Sequence, residues 1–262
     1  MRSQDALRLV TLLAVALLAG GCLHDDEGST TVTVHETVTE TGTASVPGEA
    51  PAVVRVYFLR DGEVAPVQRE VVTGPAIARA ALNELFSGLS PEERGLETSI
   101  HEGVEVVALA IQGGVADIRL SESLNDERAY AQVVYTLTQF PTVKRVVVDG
   151  RRPAGRAAVE EHTPPVLVES PLPGETVEPG FEVTGTANTF EATFQYELRD
   201  ASDAVISKDF VTATSGSGTR GTFSFTVPYE VDRVQEGSLT VFENSAASGA
   251  RTNEVSIPLR LE

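Results

Sequence analysis

The chain has 262 residues, of which 41% are hydrophobic, and a formal net charge of −18 that is spread along the sequence. This length predicts about two domains once a leader and a linker are removed. The acidic balance argues against nucleic acid or anionic lipid as a partner, because phosphate binding needs clustered Lys and Arg. The one Cys, Cys22, excludes an intrachain disulfide.

Residues 1–21 have the features of a lipoprotein signal peptide. The apolar run Leu9–Ala19 is too short for a spanning helix, which needs about 20 apolar residues, but it suits a signal-peptide core. The sequence Ala19-Gly20-Gly21-Cys22 follows and resembles the lipobox of exported bacterial lipoproteins. The resemblance implies cleavage before Cys22, lipidation of its sulfur and anchoring to the outer face of the bacterial cell membrane. An ordinary secretory leader with an incidental Cys is the alternative.

Residues 22–51 are predicted to be a disordered, Thr-rich stalk. They are rich in Thr, Val, Glu and Gly and contain almost no large apolar side chain that could form a core. The alternation of Thr and Val could also pair as a strand. A flexible stalk would act as a tether that lets the folded part stand away from the bilayer.

Residues 52–160 are predicted to form an α+β domain. Apolar side chains at three- and four-residue steps predict helices over 76–89 and 126–140, the second capped by Asn125 or Asp126. A capping-box pattern at Ser90–Glu93 predicts one more short helical turn. Apolar and β-branched runs predict strands at 53–59, 64–72, 104–111, 115–120 and 143–148.

Turn residues order these elements along the chain. Pro66 favours an edge position for the second strand, Gly113-Gly114 predicts a hairpin, and Asp149-Gly150 closes the last strand. The resulting βαββαβ pattern, with an extra early strand, predicts an antiparallel or mixed sheet with two helices on one face.

Residues 164–262 are predicted to form an all-β, immunoglobulin-like sandwich. Side chains from Phe190 to Leu198 alternate between apolar and polar, as in a strand with one buried face. Seven strands of this kind are expected, at 166–169, 181–187, 190–199, 204–212, 221–227, 238–243 and 254–261. No helix is expected here, and Phe, Tyr, Leu and Val must supply the core.

Both domains resemble known bacterial families. The first resembles the GerMN domain of spore-germination and sporulation lipoproteins, and the second resembles the Gmad2 domain that often follows it. The GerMN resemblance lies in Val54–Phe58, Ala80–Leu85, Gly95–Thr98, Val115–Ser121, Thr136–Pro141 and Val148–Gly150. The Gmad2 resemblance lies in Ser170–Gly174, Val183–Ala187, Phe190–Ala192, Tyr196–Leu198, Phe242-Glu243 and Val255–Leu259.

The resemblance implies a non-catalytic, self-associating envelope module, because GerMN domains are similar to the ring-building motifs of secretion and sporulation channels. The family has an Ile-Pro pair where this chain has Ile100-His101, a departure that affects local loop shape. The resemblance does not imply a role in germination itself, since the family also occurs in organisms that never sporulate.

Motifs that carry chemistry are scarce. None of the four histidines, His24, His35, His101 and His162, has a partner at metal-ligand spacing. Gly216–Gly221 matches the letters of G-x-G-x-x-G, but a strand follows it where dinucleotide binding needs a helix, so a mobile hairpin loop is the better interpretation. Asp25–Glu27 is more consistent with a solvated start of the stalk than with a calcium site.

The sequence therefore predicts a lipid-anchored envelope protein that acts by association, with no catalytic, cofactor-binding or metal-binding residues and with Cys22 as its one modified residue. The exposed faces of helices 76–89 and 126–140 are the expected partner surfaces for copies of the chain or for other envelope proteins. A binding module for cell-wall glycan or a small solute is the alternative, and a cell-wall hydrolase is the weakest reading, because no general acid and base can be nominated.

Overall fold

The computed structural model describes residues 51–72, 74, 76–245 and 247–262. The predicted signal peptide, Cys22 and the stalk up to residue 50 lie outside the described residues, whereas Pro51, the last predicted stalk residue, begins a strand. Residues 51–262 belong to one compact unit, and their buried apolar side chains form two clusters, one for the α+β domain and one for the sandwich.

The α+β domain follows the predicted order of elements. Its members are β1 (Pro51–Arg60), β2 (Glu63–Val72), α1 (Ile77–Phe86), β3 (Val106–Gln112), β4 (Val115–Leu120), α2 (Glu127–Thr138) and β5 (Arg145–Val148). The hairpin between β3 and β4 turns at Gly113 and Gly114, with φ of +58° and +80°, a backbone region that glycine enters without strain. Asp126 caps α2 by accepting from the Arg128 backbone N–H at 2.8 Å.

One local prediction differs from the structure. Residues 90–95 form turns and not a helix, although the Ser90 backbone N–H still donates to the Glu93 carboxylate at 2.7 Å, as in a capping box. The Glu93 carboxylate also pairs with Arg69 of β2, so the segment is fixed to the sheet instead of continuing as a helix.

The sheet of this domain is divided, whereas the sequence predicted one sheet. Strands β1 and β2 form an antiparallel pair of their own. A second sheet has the order β3-β4-β5, in which β3 and β4 are antiparallel and β4 and β5 are parallel. Helix α2 contacts strands of both sheets, β1 and β2 in one and β5 in the other.

Helix α2 supplies side chains that bond to the backbone of β1. The Arg55 N–H donates to Gln139 Oε1 at 2.9 Å, and Gln139 Nε2 donates back to the Arg55 carbonyl. The Tyr57 N–H donates to Thr136 Oγ1 at 3.1 Å, and Gln132 Nε2 donates to the Tyr57 carbonyl at 3.1 Å. Two side chains of α2 and one from Gln139, its C-cap residue, thus pair with the free edge of β1 in place of a third strand.

The same edge continues in backbone bonds. Leu59 and Glu97 exchange two backbone hydrogen bonds, at 2.9 and 2.8 Å. The polar side chains of α2 are themselves buried, since Gln132 and Thr136 have no exposed surface. Because a buried backbone polar group needs a partner, these contacts explain why the divided sheet is tolerated.

The second domain begins after a 3₁₀ segment, Arg156–His162, that the sequence did not predict. Its strands are β6 (Val166–Ser170), β7 (Thr176–Val177), β8 (Phe181–Ala187), β9 (Thr193–Arg199), β10 (Val205–Thr212), β11 (Gly221–Val227), β12 (Gln235–Asn244) and β13 (Arg251–Leu261). The seven predicted strands are present, and β7 is an additional short one.

The strands form the two sheets of an immunoglobulin-like sandwich, as predicted. One has the order β10-β9-β12-β13-β7 and the other β11-β8-β6. Aromatic rings fill the space between them: Phe194 lies edge-on to Phe223 with centroids 4.9 Å apart, and Tyr196 stacks on Phe225 at 4.8 Å. These contacts replace the disulfide and Trp that the sequence lacks.

The predicted strand 190–199 begins later than expected. Residues Phe190–Ala192 form a 3₁₀ turn, in which Glu191 and Ala192 have φ of +54° and +57°. That backbone cannot continue a strand, so the alternation starts at Phe194. Within the described residues, no helix is long and apolar enough to cross a membrane.

We expect Gln132→Leu to destabilise the fold by about 1–3 kcal/mol, the cost of leaving buried polar groups without partners. The substitution removes the donor to the Tyr57 carbonyl and the acceptor of the Ser99 N–H, which lies 3.0 Å from Gln132 Oε1. Urea unfolding followed by circular dichroism measures this change. Asn83→Ala, on the exposed side of α1, is the control and should stay within about 0.5 kcal/mol. Equal stability of the two variants would contradict the role of Gln132.

Candidate functional site

Metal chemistry finds no support in the described part of the chain. Among residues 51–262, apart from the masked positions, no group of three or more His, Cys, Asp or Glu could hold a metal ion. His101 is exposed, and His162 lies in the 3₁₀ segment with Nε2 3.9 Å from the Glu161 carboxylate. His24, His35 and Cys22 lie outside the described residues. Candidate sites are therefore polar clusters and exposed surfaces.

A buried polar cluster lies where the α+β domain meets the sandwich. It consists of Tyr57 from β1, Arg156 from the 3₁₀ segment and Glu169 from β6. Arg156 Nη1 donates to the Glu169 carboxylate at 3.0 Å, and the Tyr57 hydroxyl donates to the same carboxylate. Arg55 Nη1 adds a bond to the Glu169 backbone carbonyl at 3.2 Å. We call these three side chains the junction cluster.

Helix α2 holds the arginine of this cluster in place. Arg156 Nε donates to Thr138 Oγ1 at 2.8 Å, and its guanidinium carbon lies 4.6 Å from the Tyr135 ring centroid. The Tyr135 hydroxyl in turn bonds to Thr163 Oγ1 at 2.7 Å. The helix that bonds to β1 thus also orients the arginine that binds the sandwich.

Electrostatics keep the cluster in one protonation state. Burial alone would raise the pKa of Glu169, but the charge and hydrogen bond of Arg156 and the bond from Tyr57 hold that pKa below its usual range. Burial, followed by the nearby Glu169 charge, raises the pKa of Tyr57. The carboxylate therefore stays ionised and the phenol stays a donor.

The junction cluster fits a structural role. A general acid or base must reach a proton of its substrate, yet Tyr57 is fully buried and Glu169 is engaged by two donors. A nearby cleft between the β1–β2 hairpin and the start of the sandwich holds only about 80 Å³. That is room for a few waters. Two larger and more open depressions also lie along the junction, one of about 310 Å³ that includes Arg55 and Glu169 and one of about 400 Å³ beside Pro173.

Arg220 makes a second contact across the junction. Its Nε lies 3.2 Å from Glu160 Oε1, and its Nη2 donates to the Pro164 carbonyl at 2.9 Å. Arg220 belongs to the segment Gly216–Gly221, which matches the letters G-x-G-x-x-G. This segment is a loop that joins β10 of one sheet to β11 of the other, so it is not a hairpin. The Ser217 N–H donates to the Thr189 carbonyl at 2.9 Å, so the loop is tied to the sandwich.

One predicted partner surface is wrong. Every residue of α2 from Ala129 to Leu137 is buried, so the helix presents no exposed face along most of its length. Strands β1 and β2, helix α1, strand β5 and the 3₁₀ segment surround it. Helix α1 keeps an exposed side at Asn83, with Arg79 and Glu84 half-buried.

One candidate partner surface, the exposed apolar edge of strand β3, was not identified from the sequence. Strand β3 pairs only with β4 and ends the sheet β3-β4-β5. Val107 on it is 56% exposed and Ile111 39% exposed, and no residue from Val106 to Gly114 is charged. Exposed strand edges invite pairing with another chain unless charges, proline or a cover protect them.

The contrast with β2 makes this edge unusual. Strand β2 also ends its sheet, but it carries Pro66 together with Glu63, Arg69 and Glu70, which protect an edge. Strand β3 has no such residue in its bounds, and its one side-chain cover among the described residues is Arg79 of α1, which donates to the Val106 carbonyl at 2.6 Å. The sequence shows the uncharged run of β3 as a strongly apolar strand. That this strand lies at the edge of its sheet follows only from the order of the strands.

Two phenylalanines of the sandwich are also exposed. Phe190 is 67% exposed in the 3₁₀ turn and Phe210 is 69% exposed on β10. The sequence predicted Phe190 on an inward strand position, and the positive φ of the next two residues explains why it is not there. Phe210 lies on the edge strand of the larger sheet.

Two family models match the chain in consecutive segments. Residues 55–152 match the Germane model, described as sporulation and spore germination. Residues 165–250 match the Gmad2 model, described as an immunoglobulin-like domain of bacterial spore germination. The chain thus contains two consecutive segments that each match a family described from sporulation or spore germination. More particularly, the chain carries a Germane, or GerMN, domain followed by a Gmad2 domain.

Solved structures give weaker likenesses. One is the tandem GerMN domains of the sporulation protein GerM from Bacillus subtilis, with 24% identity over 45% of this chain and a TM-score of 0.35. This chain covers 48% of that structure, about half its length. Another is a putative lipoprotein from Clostridium perfringens, with 14% identity over 47% of this chain and 98% of that one, at a TM-score of 0.29. No curated protein matches the chain.

Glu169→Gln should destabilise the chain by about 1–3 kcal/mol at neutral pH, because it leaves Arg156, whose side chain is only 25% exposed, without its counter-ion. The folded pKa of Glu169 is lowered, so its contribution is complete above the unfolded value of about 4.3 and is lost as pH falls through the folded pKa. The difference between wild type and variant should therefore shrink below about pH 4.3. Urea unfolding from pH 7 to pH 3 measures this.

The matched control is Glu127→Gln, which removes an exposed ion pair with Arg151. Such pairs contribute about 0–1 kcal/mol. A loss for Glu169→Gln no larger than that of Glu127→Gln would refute the role of the junction cluster.

Proposed function

We propose that the chain is a lipid-anchored protein of the bacterial cell envelope that acts by association with copies of itself or with other envelope proteins, and not by catalysis. Cys22 is the proposed site of lipidation. The outer face of the cell membrane is the proposed location, with residues 22–51 as the tether. Nucleic acid is not among the proposed partners.

The observation that carries this proposal is the uncharged edge strand β3. Val107 and Ile111 on this strand are exposed to solvent, although the chain carries 38 acidic residues. In the same domain, the edge strand β2 is protected by proline and charged residues. Burial of apolar area contributes roughly 25 cal/mol per Å², so an edge of this kind gains from being covered. A partner strand would satisfy its backbone and its side chains together.

The tether strengthens weak contacts of this type. Copies held on one membrane meet at a high effective concentration, so a contact that is weak in solution still forms. Both family models describe sporulation and germination domains, and neither description names a reaction. A wall hydrolase remains the weakest alternative, because the junction cluster is buried and internally paired.

Val107→Lys should reduce self-association, because it places a charge at the proposed contact. We expect the wild-type chain to show a molar mass that rises with concentration in size-exclusion chromatography with light scattering, and the variant to stay monomeric over the same range. Val53→Lys is the matched control, since Val53 on β1 is also 56% exposed. A wild-type chain that is monomeric both in solution and tethered to vesicles, or equal effects of both substitutions, would refute association through β3.

Cys22→Ser tests the anchor separately. Lipidation at Cys22 predicts that the wild-type chain incorporates labelled palmitate and sediments with membranes, and that the variant does neither. Cell fractionation with metabolic labelling measures both. A wild-type chain that is unlabelled and released into the medium would show that Cys22 ends an ordinary secretory leader.

A further inference from the structure

The outer face of the larger sandwich sheet carries an aromatic and polar row. The strand register places Phe210 of β10 opposite Gln195 of β9, and Gln195 opposite Phe242 of β12. Neighbouring strands lie about 4.8 Å apart, so the two rings flank the Gln195 amide on either side. Only the Phe210 ring is open to solvent, since Phe242 is buried.

An ion-pair network covers the end of this row at which the buried Phe242 lies. The Arg251 guanidinium lies 4.0 Å from the Phe242 ring centroid and binds the buried Glu197 carboxylate. Arg199 binds the other Glu197 oxygen at 2.8 Å. Asp203 lies 3.3 Å from Arg199, and Glu254 lies 3.8 Å from Arg251, so the guanidiniums are matched by carboxylates. The face therefore has no excess of positive charge for a phosphate or a polyanion.

The exposed end of the row, around Phe210, holds polar side chains without hydrogen-bond partners. Within the described residues, the side chains of Gln195, Lys208 and Asn244 make no hydrogen bond, and Lys208 makes no ion pair. Together with Phe210 they line a shallow depression of about 520 Å³. Asp209 also lines the depression. Two amides, an ammonium, a carboxylate and one exposed ring are the small set of convergent polar and aromatic groups that a binding site uses.

We propose that this depression binds a saccharide with N-acetylated units. The apolar face of a sugar ring would stack on Phe210, whose ring offers area without charge. The side-chain amides of Gln195 and Asn244 each offer a donor and an acceptor, which matches both halves of an acetamido group. The balanced charges exclude an anion as the main determinant. The groups that line the depression belong to several strands of the sheet face, whereas a peptide strand would pair with the backbone edge of β10 alone. This site is independent of association through β3.

Binding of chitotriose, the trimer of β-1,4-linked N-acetylglucosamine, to the full chain tests the proposal by calorimetry and NMR. We expect chitotriose to bind, and cellotriose, which lacks acetamido groups, to bind at least about tenfold more weakly. Phe210→Ala and Gln195→Ala should each weaken chitotriose binding about tenfold or more, while their circular dichroism spectra stay unchanged.

Phe190→Ala is the matched control, because Phe190 is equally exposed on the same domain but does not line the depression. It should change the affinity less than twofold. The proposal is overturned if chitotriose does not bind, if it binds equally to wild type and Phe210→Ala, or if Phe190→Ala weakens it as much. It is also overturned if chitotriose shifts only the backbone signals at the outer edge of β10, which would indicate a strand-pairing site.

Discussion

The fold depends on a contact between a helix and the edge of a strand. Gln132 and Thr136 of α2, and Gln139 directly after it, bond to the backbone of Arg55 and Tyr57. Gln132, Thr136 and Tyr57 are buried, so water cannot replace the bonds between them. The contact places α2 between the two small sheets, and the same helix then orients Arg156 toward the sandwich. The domain core and the domain junction thus share one helix.

Much of the fold follows from the pattern of side chains, but this contact does not. The periodicity of apolar residues predicted both helices and all strands except β7, because burial on one face produces regular spacing. Gln132 and Thr136 interrupt the apolar pattern of α2 and would be assigned to a solvent-exposed face by that rule. Their burial depends on a strand about 75 residues earlier in the chain, a distance over which local spacing carries no information.

The candidate sites also have some features that the sequence shows and others that depend on the fold. The sequence showed the uncharged run of β3 and the four histidines, but not which strand ends a sheet. Phe190 was expected to be buried because it continues an alternation, and the positive φ of Glu191 and Ala192 ends that alternation. The row across Phe210, Gln195 and Phe242 comes from three strands that are not consecutive in the chain. A surface of this kind exists only once the strand order is known.

The protection of β1 has a consequence for stoichiometry. With β1 bonded to α2 and β2 carrying Pro66, the α+β domain leaves β3 as its uncharged free edge among the described strands. If two copies paired these edges with each other, the contact would be isologous, and a twofold pair would be complete. A closed ring or a filament needs two different patches on each copy, so larger assemblies would have to bring β3 against an unlike surface.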